Sequence, residues 1–441
     1  MNKNSKKLLP WSIILIITAA VFSGHFGVGD LIFPPVLGRS SGSSWFIAAL
    51  GYGVINSLGV FIAYLAVSIQ DKSLFGLSAM VLGKQFAQVF TTISMLIIGP
   101  IFILPRVSSA THEMAVAQFF PSLPIWVTLL IFFILNFYFA YNRSKVMDKL
   151  GKYLAPTLII FVVILVIKGI FTPLAQPVYP GSPTAFTDGI LNGYNTMNAL
   201  GAALFGLWIV NEFSLRGVKD KEVRKSNLII IGLITAFALL LTSTVLTYLG
   251  ASSGVKFTEA PIGVLTVEIA KGLLGYFGII VFAVILSFAN LTTSVGLTST
   301  AGDTFEQMTA GKLKYTTIVI LSSIVGFLIG LIGLSKVVGY TVPWLMLIYP
   351  ALIVILVMSL FSNFNKVKFA TQIGVITAII FSIGDFLSSL GFENNPFTKI
   401  NLLLPLGKQG LAWLVPTVII ILLSHFISAF LKSKTTSSEI K

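Results

Sequence analysis

The sequence predicts an all-α polytopic membrane protein with 12 transmembrane helices. They form a five-plus-five inverted repeat with broken helices 1 and 6, plus two appended helices. Three observations carry this. The 441 residues are 56% hydrophobic and only 10% charged, where a soluble domain carries about 25%. Twelve apolar runs are each long enough for a hydrocarbon core, which takes about 20 residues of helix. Two of these runs, five spans apart, carry glycines and polar side chains at mid-membrane.

The runs fall at roughly 10–37, 45–69, 89–118, 124–141, 153–172, 190–211, 227–250, 275–300, 316–335, 337–360, 370–390 and 410–431. They form one transmembrane domain over 1–441, with repeat one at about 10–172, repeat two at about 190–360, and helices 11 and 12 at about 370–431. "SLFGLSAMVLGKQFAQ", before the third run, reads as a short helix along the membrane surface. "VKFTEAPIGVLTVEIAKGLLG", before the eighth, reads the same way on the other side. The basic N-terminus precedes a run with no small-residue cleavage site, so it reads as a retained first helix and not a signal peptide.

Lys and Arg in the loops set the orientation. With the N-terminus inside, 21 of the 29 basic residues fall in cytoplasmic segments, seven fall outside, and Arg106 lies within the third run. Both termini are therefore expected in the cytoplasm. The densest inside loop, Arg216 to Lys225, is the positive-inside signal and could also meet anionic lipid headgroups. The +14 net charge thus belongs to membrane topology, and no nucleic-acid partner is expected.

Backbone in hydrocarbon must satisfy its own hydrogen bonds, and glycines and prolines weaken a helix. An interrupted helix therefore survives only where it lines a protein cavity. The first run, "FSGHFGVGDLIFPP", is interrupted over Ser23–Asp30. The sixth, "NGYNTMNALGAALFG", places Gly193, Asn195, Thr196, Asn198 and Gly201 at mid-membrane. Interruptions at matching positions of two halves point to a transporter's binding site. Bare carbonyls there suit a cation, and half-helix N-termini suit a carboxylate. Close helix packing through small residues is the plainer explanation for any single glycine. A third polar patch, "ANLTTSVGLT", offers Asn290, Thr292, Thr293 and Ser294 as an oxygen cage for a small hard cation, unless these hydroxyls bond their own helix carbonyls.

Other function classes find little support. There are no cysteines, so thiolate and disulfide chemistry are excluded. With three histidines, no HExxH spacing and no phosphate-binding GxxxxGK[ST], neither a hydrolase nor a nucleotide-driven pump is indicated. A channel would need a continuous polar lining, whereas the polar residues cluster at three points.

Four segments together resemble the branched-chain amino acid:cation symporters (BrnQ-like). "FGVGDLIFPPVLG" is similar to their FGAGNLIFPP signature, "GYNTMNALGAALFG" to their GY-x-TMDAL segment, and "ANLTTSVGLT" to their LTTA-x-GLT segment. "GPIFILPRVSSATHEMAV" is similar to their IPR…EM segment. The matches fall in order along the whole chain. The resemblance implies a secondary active symporter in a bacterial plasma membrane, importing leucine, isoleucine and valine by alternating access. It implies Na⁺ as the coupling ion, or H⁺, and no other cofactor. A carrier of a different small neutral amino acid stays open.

The same resemblance implies substrate contacts at Gly27, Val28 and Gly29, and at Thr196, Asn198, Ala199 and Leu200. It implies a Na⁺ site from Ser23, Phe26 and Ala289 carbonyls, Thr292 and Thr293 hydroxyls, and Asp30. Ile103 and Leu286 are candidates for the apolar part of the pocket. The chain departs from the family pattern in having Asp30 where Asn is usual and Asn198 where Asp is usual, as if the carboxylate had crossed the cavity. His25 and His112 stand where apolar or aromatic residues are usual.

Charges inside membranes are expensive and usually paired. Arg106 and Glu113, seven apart on one face of helix 3, read as a gate or substrate contact, or as a structural pair. His25 could exchange a proton with Asp30. His112 reads as a packing residue, and Asp385 as water-facing or oligomer-facing without a transport role.

Overall fold

The computed structural model describes residues 8–141, 155–215, 217–218, 220–254 and 256–425. Arg216, Lys219 and both chain ends, which carried parts of the topology argument, lie outside them. Most of the described residues are helical, with no strand among them. The helices are α1 (Trp11–His25), α2 (Val28–Ser41), α3 (Trp45–Gly53), α4 (Gly59–Gln70), α5 (Leu74–Leu96), α6 (Ile103–Met114), α7 (Ile125–Ala140), α8 (Ala155–Phe171), α9 (Ala185–Tyr194), α10 (Asn198–Leu215), α11 (Lys221–Ser253), α12 (Leu265–Met308), α13 (Tyr315–Gly330), α14 (Leu334–Met358), α15 (Phe364–Ser389), α16 (Pro396–Leu403) and α17 (Leu414–His425). Each apolar run of the sequence holds one of these helices or a broken pair. Among the described residues, six helical stretches suffice by length and composition to cross a membrane, and four shorter apolar helices accompany them.

Both expected interruptions are present, and each is narrower than the sequence suggested. The first run breaks only at Phe26 and Gly27, the sixth only over Asn195–Met197. Met197 sits at φ +60°, a left-handed conformation that a side chain like methionine's rarely takes. The third run, expected to be continuous, is broken as well. Its "GP" dipeptide forms a wide π-turn over Ile97–Ile101, because Pro100 has no N–H to give the helix. The short segments before the third and eighth runs each end at a glycine of positive φ, Gly83 (φ +86°) and Gly275 (φ +64°), which turn the chain into the longer helix.

The chain divides into two compact units, Met1–Tyr64 with Thr92–Thr341, and Leu65–Thr91 with Val342–Lys441. In the second, Gln70 Nε2 donates to the carbonyls of Ser359 (2.8 Å) and Phe361 (2.9 Å), and Gln372 Nε2 to that of Val81 (2.8 Å). Asp385, expected to face water or an oligomer partner, is half-buried there and accepts from Asn401 Nδ2 at 3.0 Å.

In the first unit, α2 packs against α11 at backbone distance. A Cβ on Gly38 would lie 1.8 Å from the Thr247 carbonyl oxygen, and one on Gly250 would lie 1.9 Å from that of Pro35. Pro35 also withdraws the N–H that the Leu31 carbonyl would use in a regular helix. The Thr266 hydroxyl, at the start of α12, supplies it instead at 2.6 Å. Arg39 Nη1 donates to the carbonyls of Phe257 (2.9 Å) and Ala260 (2.7 Å). Helix α2 is thus tied to α11 and to the segment leading into α12.

Candidate functional site

The two broken helices meet. Glycine at positions 24, 27 and 29 weakens helix one locally, and the break changes its bonding. Phe26 N–H closes α1 onto Phe22 O (2.7 Å), whereas Gly27 N–H turns to His25 O (2.9 Å) and away from Ser23 O, its regular helical acceptor. Helix α2 restarts with Asp30 N–H on Gly27 O (3.1 Å). The Asp30 carboxylate reaches back to Gly27 N–H at 3.4 Å, as an acidic residue in a first helical turn commonly does. Opposite, Thr196 N–H and Met197 N–H close onto Gly193 O and Tyr194 O, and α10 begins at Asn198. Each break leaves a helix N-terminus, with its unsatisfied amides, at the same place.

Between them lies a cavity lined by Gly24, His25, Gly27, Val28, Gly29, Asp30, Thr196, Met197, Asn198, Gly201 and Phe205 of the broken helices. Ile98, Ile103, Arg106 and Val107 come from the third run, Thr293 and Leu297 from α12. Its volume is about 20 Å³, room for a water-sized species; a larger guest needs the walls to part.

A polar network runs along one side. Asn198 Nδ2 donates to both Asp30 carboxylate oxygens, each at 3.1 Å, and to Asn56 Oδ1 at 2.7 Å. His25 Nδ1 lies 3.4 Å from Asn198 Oδ1, and His25 Nε2 lies 2.7 Å from the Tyr64 hydroxyl. All five residues are buried. The His25 ring also meets Tyr64 and Phe205 edge-on, at 5.8 and 5.6 Å between centroids.

The expected residues separate into three groups. Gly27, Val28, Gly29, Asp30, Thr196, Asn198, His25, Arg106, Thr293 and Ile103 all line the cavity. Ser23, Phe26, Ala199, Leu200, Leu286, Ala289 and Thr292 are buried beside it without lining it. Glu113 stands apart: it accepts the Leu334 N–H at the start of α14 at 2.8 Å.

The four polar residues of α12 do not share a face. Thr292 donates back to Ala289 O at 2.8 Å, while Asn290 Nδ2 turns to the third helix, donating to Val107 O (3.1 Å) and Thr111 Oγ1 (3.0 Å). Adjacent helical residues point about 100° apart, so Thr293 alone of the four reaches the cavity. Its buried hydroxyl has no partner, and a Cβ on Gly27 would lie 3.1 Å from it. Arg106 Nη1 donates to Asn195 O in the second break at 2.7 Å, and its guanidinium lies over the Phe33 ring at 5.5 Å. Arg106 and Glu113 are therefore tied to different elements. His112 bonds Thr128 Oγ1 at 2.9 Å, a packing contact as expected.

Sequence reasoning missed Asn56, Tyr64 and Phe205. An asparagine and a tyrosine inside the second apolar run were visible, and an amide in hydrocarbon demands a partner. Asn56 falls in a π-helical turn, Val54–Leu58, a feature frequent at functional sites.

Comparison with known proteins agrees with this architecture. Solved transporters share the fold over nearly the whole chain. The hydantoin-bound closed form of Mhp1, a nucleobase-cation-symport-1 family transporter, superposes with a TM-score of 0.61 at 14% identity, covering 99% of this chain and 96% of that one. MhsT in complex with L-phenylalanine gives 0.53 at 16% identity, covering 96% and 99%. At such identities the likeness shows the fold alone. The sequence relatives are nearer. The branched-chain amino acid permease BraB of Bacillus subtilis is 30% identical over 99% of this chain and 100% of its own length. The permease BrnQ of Lactobacillus delbrueckii subsp. lactis is 30% identical over 94% and 96%. These are permeases and not enzymes. Residues 12–431 match the family described as branched-chain amino acid transport protein, and to that family of multi-pass membrane transporters the chain belongs.

Proposed function

We propose that the chain imports leucine, isoleucine and valine by Na⁺ symport through alternating access. The carrying observation is the meeting of two helix breaks at one buried cavity that also holds an unpartnered hydroxyl, Thr293. The names of the permease relatives support the substrate class. The substrate backbone meets Gly27, Val28 and Gly29 on one side and Thr196 and Asn198 on the other, while Phe205, Ile98, Ile103 and Leu297 take the side chain. Na⁺ takes the Thr293 hydroxyl, carbonyls freed at Ser23 and Phe26, the Ala289 carbonyl and Thr292 beyond it, and the Asp30 charge.

Twelve spans in a five-plus-five inverted repeat with two appended helices fit this reading. The paired breaks and the paired turns at Gly83 and Gly275 support it, and the Lys and Arg distribution supports a cytoplasmic position for both termini.

The His25–Asn198–Asp30 chain favours a second reading, coupling to H⁺. A continuous set of hydrogen bonds joins an imidazole to a buried carboxylate, as ionisable chains do in pumps. Radiolabelled leucine uptake into proteoliposomes, with Na⁺ and H⁺ gradients imposed separately, tests both. Uptake driven by neither gradient would end the symport reading.

A further inference from the structure

Two side chains of the second apolar run, Asn56 and Tyr64, reach the polar network of the cavity and fix where its protons lie. Asp30 ends the network as a carboxylate, which when ionised only accepts. Asn198 turns Nδ2 to it, 3.1 Å from both oxygens, and the other proton of that nitrogen goes to Asn56 Oδ1 at 2.7 Å. Both donors of the amide are then spent, and Asn198 Oδ1 is left facing His25 Nδ1 at 3.4 Å. An amide oxygen only accepts, so Nδ1 carries the proton. His25 Nε2, 2.7 Å from the Tyr64 hydroxyl, is then the acceptor of a neutral ring, and Tyr64 donates to it.

The reverse direction fails at both ends. Turning the Asn198 amide over would set its oxygen against the Asp30 carboxylate and against Asn56 Oδ1. Protonating His25 Nε2 would leave the buried Tyr64 hydroxyl proton without an acceptor, because among the described residues His25 is its one hydrogen-bond partner. A charged ring, donating from both nitrogens, meets the same obstacle. The Tyr64 ring is itself held in place, lying edge-on to His25 and against Gly232 of α11, where a Cβ would come within 3.0 Å of Tyr64 Cβ. Asn56, in the π-turn Val54–Leu58, gives up a bond to keep this direction. Its buried Nδ2 has no partner, and an unsatisfied buried donor costs about 1–3 kcal/mol. Turning Asn56 over would bring that nitrogen against Asn198 Nδ2, donor to donor.

We infer that His25 is a positioning residue: Tyr64 holds it as the neutral Nδ1–H tautomer, and His25 and Asn56 together hold the Asn198 amide nitrogen toward Asp30. The chain then orients and does not relay. The Nδ1 proton points at an amide oxygen, while the protons that reach Asp30 belong to the amide nitrogen. His25 and Asp30 are thus joined by hydrogen bonds without a path for a proton between them, which counts against coupling to H⁺ through this chain. The second apolar run sets the geometry where the two breaks meet, acting on α1 through Tyr64 and on α10 through Asn56. The inference deepens the Na⁺ reading of the site and rests on it for what the site transports.

¹⁵N NMR of the reconstituted protein, labelled at histidine, tests this without transport. The chain has three histidines, and His25→Gln assigns the His25 signals by removing them. At neutral pH the wild-type ring should show a protonated Nδ1 and an unprotonated, hydrogen-bonded Nε2. Tyr64→Phe should shift the Nε2 signal toward that of an unbonded ring nitrogen. A wild-type ring protonated at Nε2, as the other tautomer or as imidazolium, overturns the inference. So does a Tyr64→Phe spectrum identical to wild type. Na⁺-driven leucine uptake gives a second readout. His25→Leu fills the space without hydrogen bonds, and should raise the leucine concentration for half-maximal uptake by at least ~10-fold, the cost of leaving buried polar partners unpaired. His25→Gln does not titrate but offers a donor and an acceptor, and should fall between wild type and His25→Leu. Equal losses in the two would return His25 to proton transfer and overturn the positioning role. A wild type that takes up no leucine overturns the transport reading, while the tautomer is still read from the spectrum.

Discussion

Asn198 donates its side-chain amide to both carboxylate oxygens of Asp30, at 3.1 Å each. These are the two positions at which the resemblance to the symporter signatures implies that carboxylate and amide are exchanged. They lie 168 residues apart in sequence and touch across the two helix breaks, so the exchange moves one carboxylate by one hydrogen bond. The net charge of the site is kept while its place changes.

From that contact comes the first prediction. A charge at mid-membrane costs at least about 2.5–3.5 kcal/mol when unpaired, so Asp30 is expected to be neutralised by the coupling ion together with the substrate ammonium. Asp30→Asn should raise the Na⁺ concentration for half-maximal leucine uptake by at least ~10-fold. Adding Asn198→Asp should recover part of the loss. Uptake in Asp30→Asn with unaltered Na⁺ and pH dependence would show that the carboxylate carries no coupling.

The two threonines of α12 should behave differently. Thr293 presents an unpartnered hydroxyl to the cavity, whereas Thr292 is bonded within its own helix. Thr293→Ala should abolish gradient-driven uptake, and Thr293→Ser should restore it. Thr292→Ala should weaken Na⁺ dependence by a smaller factor. Equal effects from the two alanines in a Na⁺ titration would contradict this geometry.

Glu113 is assigned to structure. Its carboxylate caps the start of α14 through Leu334 N–H, a contact worth about 1 kcal/mol. Glu113→Gln keeps an acceptor and should melt close to wild type, while Glu113→Ala should lower the melting temperature. Neither should alter the Na⁺ dependence of transport. A changed ion dependence in Glu113→Gln would return the residue to the mechanism.

The α2–α11 contact is predicted to tolerate no added carbon. At Gly38 and Gly250 the obstructing atoms are backbone oxygens at 1.8 and 1.9 Å, which cannot rotate away. Either residue changed to alanine should cost about 1–3 kcal/mol or more, read as lost monodisperse protein or a lower melting temperature. Normal stability in both would mean that the helices can separate freely.

Much of this site was legible because chemistry in a membrane is conspicuous. Glycine clusters with polar neighbours in two apolar runs announced the breaks, and a lone carboxylate at Asp30 announced a site. What sequence could not supply was direction. Thr292 and Thr293 are equivalent as letters, and only the helix phase against Gly27 separates them. Arg106 and Glu113 share a helix face by spacing, yet their partners, Asn195 and Leu334, lie on other elements whose approach no local pattern encodes. Asn56 and Tyr64 escaped notice for a related reason, since their roles are set by His25 and Asn198 across the cavity.

The bond from Thr266 to the Leu31 carbonyl bears on how the protein is made. Pro35 leaves that carbonyl without its helical donor, and the hydroxyl that replaces it comes 235 residues later. At a synthesis rate of about 5–20 residues per second, the first helix waits roughly 10–50 s in the bilayer with this acceptor open. The earliest helix to enter the membrane is thus completed by one of the later ones. Ribosome-bound chains ending before Thr266 should hold α2 loosely enough for a cysteine introduced there to react with a thiol reagent. Longer chains should close it off, a biosynthetic checkpoint written into a single proline.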